Sequence, residues 1–169
     1  RELQSSDQPK LAASLLDDSE LQIDKLSPQD ALEYARLAYD NGRLWQGDAA
    51  LRHAKALAPN ARQIYELEAK IQAWRGSVHV AIDAARKVVE LSGEDTERQK
   101  WCRFLGEQYS RLGNHAEAAY FFAQGGQLSA EDDYHYAVAL EVVGEQETAD
   151  SRYAKSARKL VPKARRELS

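Results

Sequence analysis

Residues 105–122 read Leu105-Gly106-Glu107-Gln108-Tyr109-Ser110-Arg111-Leu112-Gly113-Asn114-His115-Ala116-Glu117-Ala118-Ala119-Tyr120-Phe121-Phe122. Two apolar stretches at helical spacing flank a polar turn at Gly113. Glycine ends a helix well because left-handed backbone costs it little. Seven residues before that turn stands Gly106 and five after it Ala118. Side chains this small let two antiparallel helices approach closely, where larger ones would push the axes apart. The same three points recur around Gly42 (Ala35, Gly47), Gly76 (Ala69, Ala81) and Gly144 (Ala137, Ala149). Steps of 34, 37 and 31 residues separate the four turn glycines. The pattern predicts four helical hairpins, each needing a neighbour to cover its apolar face.

Bulky residues fill the spaces between the small ones: Tyr34, Leu51, Ile64, Leu67, Ile82, Leu105, Tyr109, Phe122, Tyr136, Leu140 and Tyr153. The predicted helix pairs are 28–41 with 44–58, 61–75 with 78–92, 95–112 with 115–127, and 130–143 with 146–161. Ser27-Pro28 and Ser129-Ala-Glu-Asp read as helix starts. Gly125-Gly126 reads as a helix end, and Pro162 as a stop or a kink. Residues 1–27 are a linker, a partial repeat or a lone helix near 8–18, with the helix favoured.

The third unit resembles the tetratricopeptide repeat family through Leu105-Gly106, Tyr109, Gly113, Ala118 and Phe122. Ala54 and Pro59 match that family's later alanine and closing proline in the first unit, and Ala137, Gly144, Ala149 and Tyr153 match in the fourth. No unit has the family's early tryptophan. The resemblance spans about residues 28–161 and implies an all-α, right-handed α-solenoid of about four helix pairs plus an N-terminal helix. The repeats are expected at 28–60, 61–94, 95–129 and 130–161, followed by a basic tail over 162–169.

Composition is consistent with this reading. Four prolines and abundant Ala, Leu, Glu and Arg favour helix. A net charge of −4 and a pI near 5.6 argue against general nucleic-acid binding. No apolar run is long enough to span a bilayer. The first 33 residues carry eight acids against three bases, whereas the last stretch is basic from Arg152 to Arg166. The chain starts at Arg1 without any methionine, so a processed form or a cut piece is expected.

Catalytic and metal signatures are missing from the sequence. His53, His79, His115 and His135 lack ligand spacing, and no Cys-x-x-Cys occurs. Cys102, beside Trp101, reads as a buried thiol. Asp17-Asp18 and Asp132-Asp133 are adjacent, so they diverge on a helix and read as helix-start or solvated charges. No enzyme, cofactor or metal is expected.

In a solenoid of this kind the first helix of each pair lines the inner face. The residues expected there include Arg36 and Tyr39, Lys70 and Trp74, Lys100, Arg103, Glu107 and Arg111, and Tyr134. Arg, Tyr and Trp dominate binding hot spots, and the cations suit acidic side chains or a C-terminal carboxylate. Charge reversal at Arg103 and Arg111 is expected to weaken binding without lowering the melting temperature. Arg36 stands where the family's chaperone-tail receptors carry an asparagine, which argues against that partner. The expected function is a scaffold that holds a protein or peptide. Bacterial envelope assembly, secretion or pilus assembly is the favoured setting, with a periplasmic or anchored location ahead of a cytoplasmic one. Self-association, or membership in a longer solenoid, is the alternative.

Overall fold

The computed structural model describes residues 23–93 and 96–167, and the helix expected near 8–18 lies outside them. Eight α-helices and no strand are found among the described residues. They are α1 (Pro28–Asp40), α2 (Leu44–Leu57), α3 (Arg62–Trp74), α4 (Val78–Leu91), α5 (Thr96–Arg111), α6 (His115–Gln124), α7 (Ala130–Val142) and α8 (Gln146–Glu167). Contacts divide the chain into two compact units, through Leu67 and from Glu68 onward.

In the first unit, Pro28 opens α1 and Ser27 caps it, its hydroxyl accepting the Asp30 amide at 3.2 Å. Ser27→Ala removes the acceptor for that otherwise orphaned donor. We expect a loss of about 1 kcal/mol, measured by denaturant unfolding of the full chain. Gly42, at φ 71°, turns the chain into α2. Ala31, Ala35 and Ala38 of α1 are fully buried, as are Ala50 and Ala54 of α2. Gly47 completes the close approach: a Cβ there would fall 2.6 Å from Cε1 of Tyr39. The Tyr39 hydroxyl then reaches past the glycine and donates to Asp48 Oδ1 at 2.8 Å. A short 3-10 turn, Ile23–Lys25, precedes α1, and His53 Nε2 lies 3.1 Å from the Leu26 carbonyl.

In the second unit, α5 packs on α4, α6 and α7, and α7 packs on α6 and α8. Gly76, Gly113 and Gly144 turn their hairpins at φ 79°, 71° and 89°. Ala69, Ala81, Ala118, Ala137 and Ala149 are completely buried, as the spacing requires. Gly106 faces the Phe122 ring so closely that a Cβ would lie 2.8 Å from Cδ1. Tyr109 and Phe121 stack at 5.5 Å. Arg86 sits over both rings, its Nε donating to the Tyr109 hydroxyl at 2.9 Å. This cation holds α4 to α5 and α6 by one planar group.

Three expectations need correction. Asp133 does stand in the first turn of α7, but it is not solvated. It is 1% exposed and accepts from Arg152 at 3.0 Å and from Lys159 at 2.5 Å, both on α8. Burial of a carboxylate demands such partners, and they stand 19 and 26 residues away, beyond any local spacing rule. Tyr153 is only half-buried, because its hydroxyl donates to Glu141 Oε2 at 2.7 Å instead of filling the core. Pro162 does not end the last helix, which runs on to Glu167. Arg158, whose carbonyl loses its donor to the proline, is exposed, so water can take that bond.

Candidate functional site

The site forms in the second unit, where one face of α5 meets the start of α7. Helical spacing places Arg103, Glu107, Ser110 and Arg111 along one stripe of α5. The first turn of α7 is fixed by a reciprocal capping box. Ser129 Oγ accepts the Asp132 amide, and Asp132 Oδ2 accepts the Ser129 amide, both at 3.0 Å. This arrangement holds the Asp132 carboxylate, Glu131 and, one turn later, His135 toward α5. Together Glu107, Ser110, Arg111, Ser129, Glu131, Asp132 and His135 line a recess of about 610 Å³. A second recess of about 520 Å³ adjoins it, lined by Thr96, Gln99, Arg103, Gln127 and Leu128, and the two share Ser129 and Asp132.

Carboxylates dominate the larger recess. The Glu107 carboxyl is pushed up to about 7, first by lost hydration, then by the charge and hydrogen bond of Asp132 and the charge of Glu131, against the pull of Arg103. Glu107 nonetheless keeps an exposed edge, so it meets both solvent and any guest. Glu131 Oε1 lies 3.9 Å from His135 Nε2. Ser110 Oγ is shut off from solvent and has no hydrogen-bond partner.

Of the nine residues predicted for the inner face, the structure brings Glu107 and Arg111 together in the larger recess and puts Arg103 in the adjoining one. Arg103 is not a free cation for a ligand: its guanidinium donates to the carbonyls of Gly125 at 2.5 Å and Gln127 at 3.3 Å. It therefore closes the end of α6, whose terminal carbonyls would otherwise lack donors. Its charge reversal would disturb that helix end, contrary to the expectation of an unchanged melting temperature. Arg111 is exposed and donates to Gln108 Oε1 at 3.2 Å.

Tyr39 does not face a ligand either. At 8% exposure it is a core side chain of the first unit, drawn in by the space over Gly47. Arg36 is exposed on α1. Lys70 is exposed on α3, 5.9 Å from the Trp101 ring, and Trp74 ends that helix 72% exposed. Lys100 is exposed 3.5 Å from Glu97. Tyr134 stands half in solvent between His135 and Tyr153, in edge contact with both.

Sequence reasoning missed Ser129, Asp132 and His135 as site residues. The Ser-x-x-Asp spacing marked a helix start, but only the packing of α7 on α5 aims those groups at Glu107. Cys102 is 1% exposed, and its thiol is raised by burial despite Arg98 and Arg103. Both facts oppose a nucleophilic role, since the thiolate is the reactive form.

No protein-family model matches the sequence, and no curated protein does. Solved structures do. One described as "MamA MSR-1 C2" aligns with a TM-score of 0.72 at 17% identity, over 92% of this chain and 91% of that one. Another, "Crystal structure of MamA", gives 0.68 at 15% identity over 98% of each chain. The fold is a tetratricopeptide-like helical repeat. At such identities MamA lends this chain its architecture and nothing finer.

Proposed function

We propose that this chain is a non-catalytic scaffold that holds a segment of another protein against α5 and α7. The observation that carries the reading is the pair of adjoining recesses, which share Ser129 and Asp132 and so offer consecutive places to an extended segment. The repeat fold supports it, since stacked helical hairpins present extended surfaces to partners. Among the described residues no His, Cys, Asp or Glu side chains group as a metal-ligand set, and the Cys102 thiol is buried, with lost hydration disfavouring its thiolate. The family resemblance adds, as the finer part of this reading, a place in bacterial envelope assembly or secretion. Self-association is the runner-up mode.

A photo-crosslinking amino acid placed at Arg111 or His135 tests the scaffold. In lysate of the source cell it should yield discrete protein adducts, while the same group at exposed Asp83 or Glu90 of α4 should not. Equal labelling at all four positions, or none at Arg111 and His135, removes the reading.

A further inference from the structure

The last hairpin of the second unit leaves one side open. Phe122 and Tyr153 each stand nine residues after a turn glycine, Gly113 and Gly144. Phe122 is shut in by Tyr136 of the following hairpin, with the ring centres 5.9 Å apart. Tyr153, its counterpart on α8, stays half-buried. Its ring meets Tyr134 of its own hairpin at 5.8 Å, and its hydroxyl goes to Glu141. Around it Tyr134 and Val142 of α7 and Leu160 of α8 are each at least half exposed. Ala154 and Ala157 of α8 are exposed as well. Stacked hairpins need a polar outer face where the stack stops, and this one is largely apolar. Apolar side chains grouped on a surface mark a contact site.

The charges of α8 say what fits there. Glu147 and Asp150 come first along the helix, Lys155 and Arg158 follow, and all four are exposed. Asp150 accepts only from Gln146, at 3.0 Å, and Arg158 has no ion-pair partner among the described residues. A helix whose charge reverses along its length attracts a second copy laid antiparallel and repels one laid parallel. Ala154 stands four residues from Asp150 and four from Arg158. A two-fold axis crossing α8 at Ala154 thus brings Asp150 of each copy beside Arg158 of the other, and the small side chain at the crossing lets the helices approach closely.

We propose that two copies of this chain pair antiparallel through α8, the open side of each last hairpin covering the other. The same patch serves on both copies, so the pair closes on itself and does not grow. Tyr134, Tyr153 and Leu160 supply the apolar contact, and the two Asp150–Arg158 pairs fix the register. None of these residues lines the recesses between α5 and α7, so the pairing goes beyond the scaffold reading and is judged apart from it.

Sedimentation of the full chain over rising concentration tests this. A monomer–dimer equilibrium is expected, weaker at high salt. Asp150→Lys and Arg158→Asp should each weaken the dimer at least about tenfold, since every change is met twice across the axis. The double swap D150K/R158D restores both pairs and should recover the dimer. Independently, Ala154→Cys sets two thiols across the axis within disulfide reach, and buried Cys102 does not compete. Under oxidised glutathione A154C should link into dimers much faster than Glu90→Cys on α4. A chain that stays monomeric at millimolar concentration overturns the proposal. So do a dimer indifferent to D150K and R158D, a double swap that fails to recover it, assemblies that keep growing with concentration, or equal linking of A154C and E90C.

Discussion

Replacing Arg152 and Lys159 together with methionine is expected to destabilise the second unit by about 3–5 kcal/mol, the usual cost of stranding a buried charge. Asp133, at 1% exposure, loses both cations that hold it, while the methionines keep most of the apolar bulk. The reverse change should be much milder. With Asp133→Asn the two cations are freed, and they are 27% and 40% exposed, so each can turn to water. Asparagine can still accept from one of them, and a loss of about 1–2 kcal/mol is expected. Arg152 also covers the Tyr136 ring at 4.7 Å, and Lys159 also donates to the Leu128 carbonyl at 2.6 Å. Some of the double variant's cost therefore survives in the Asp133→Asn background. Denaturant unfolding of wild type, the double variant, D133N and the triple variant measures this. A double variant no worse than D133N would refute the picture of a stranded carboxylate.

The second large effect is expected at the ring over Gly106. Phe122→Ala should cost about 3–5 kcal/mol, the range for emptying an aromatic site in a packed core, since Phe122 is 1% exposed. The more telling result is a change of sign. In the wild type, Gly106→Ala drives a Cβ to 2.8 Å from the ring, and overpacking of that order outweighs the helix-propensity gain of about 1 kcal/mol. In the Phe122→Ala background the obstruction is gone, and the same Gly106→Ala should stabilise the chain. Unfolding of the four chains in the cycle reads this directly. If Gly106→Ala stabilises both backgrounds, the ring is not what excludes the side chain.

That pairing shows what the sequence made legible. A glycine or alanine seven before and five after each turn glycine is a local regularity, and close helix packing is its direct physical cause. The same is true of Ser27 and Ser129, whose capping partners lie three residues away. Tyr39 was misplaced on the inner face because its helical position could not show that Gly47 leaves a slot for its ring. Asp133 was misread because its partners come from the far part of α8. The recess was half visible: α5 supplied Glu107 and Arg111 at helical spacing, whereas the groups facing them depend on how α7 sits. Of its two expected arginines, Arg111 lines it, whereas Arg103 is consumed by the carbonyls after α6.

Asp132 holds two offices at once. The carboxylate that begins α7 by accepting the Ser129 amide is also a wall of the recess. Glutamate would keep the charge but lengthen the reach, and asparagine would keep the reach but lose the charge. Heritable drift at this codon is thus judged twice, once by whether the helix starts and once by what may enter beside it. Glu107 makes no cap of its own and meets this one only through its hydrogen bond with Asp132, so it is the freer of the two to vary.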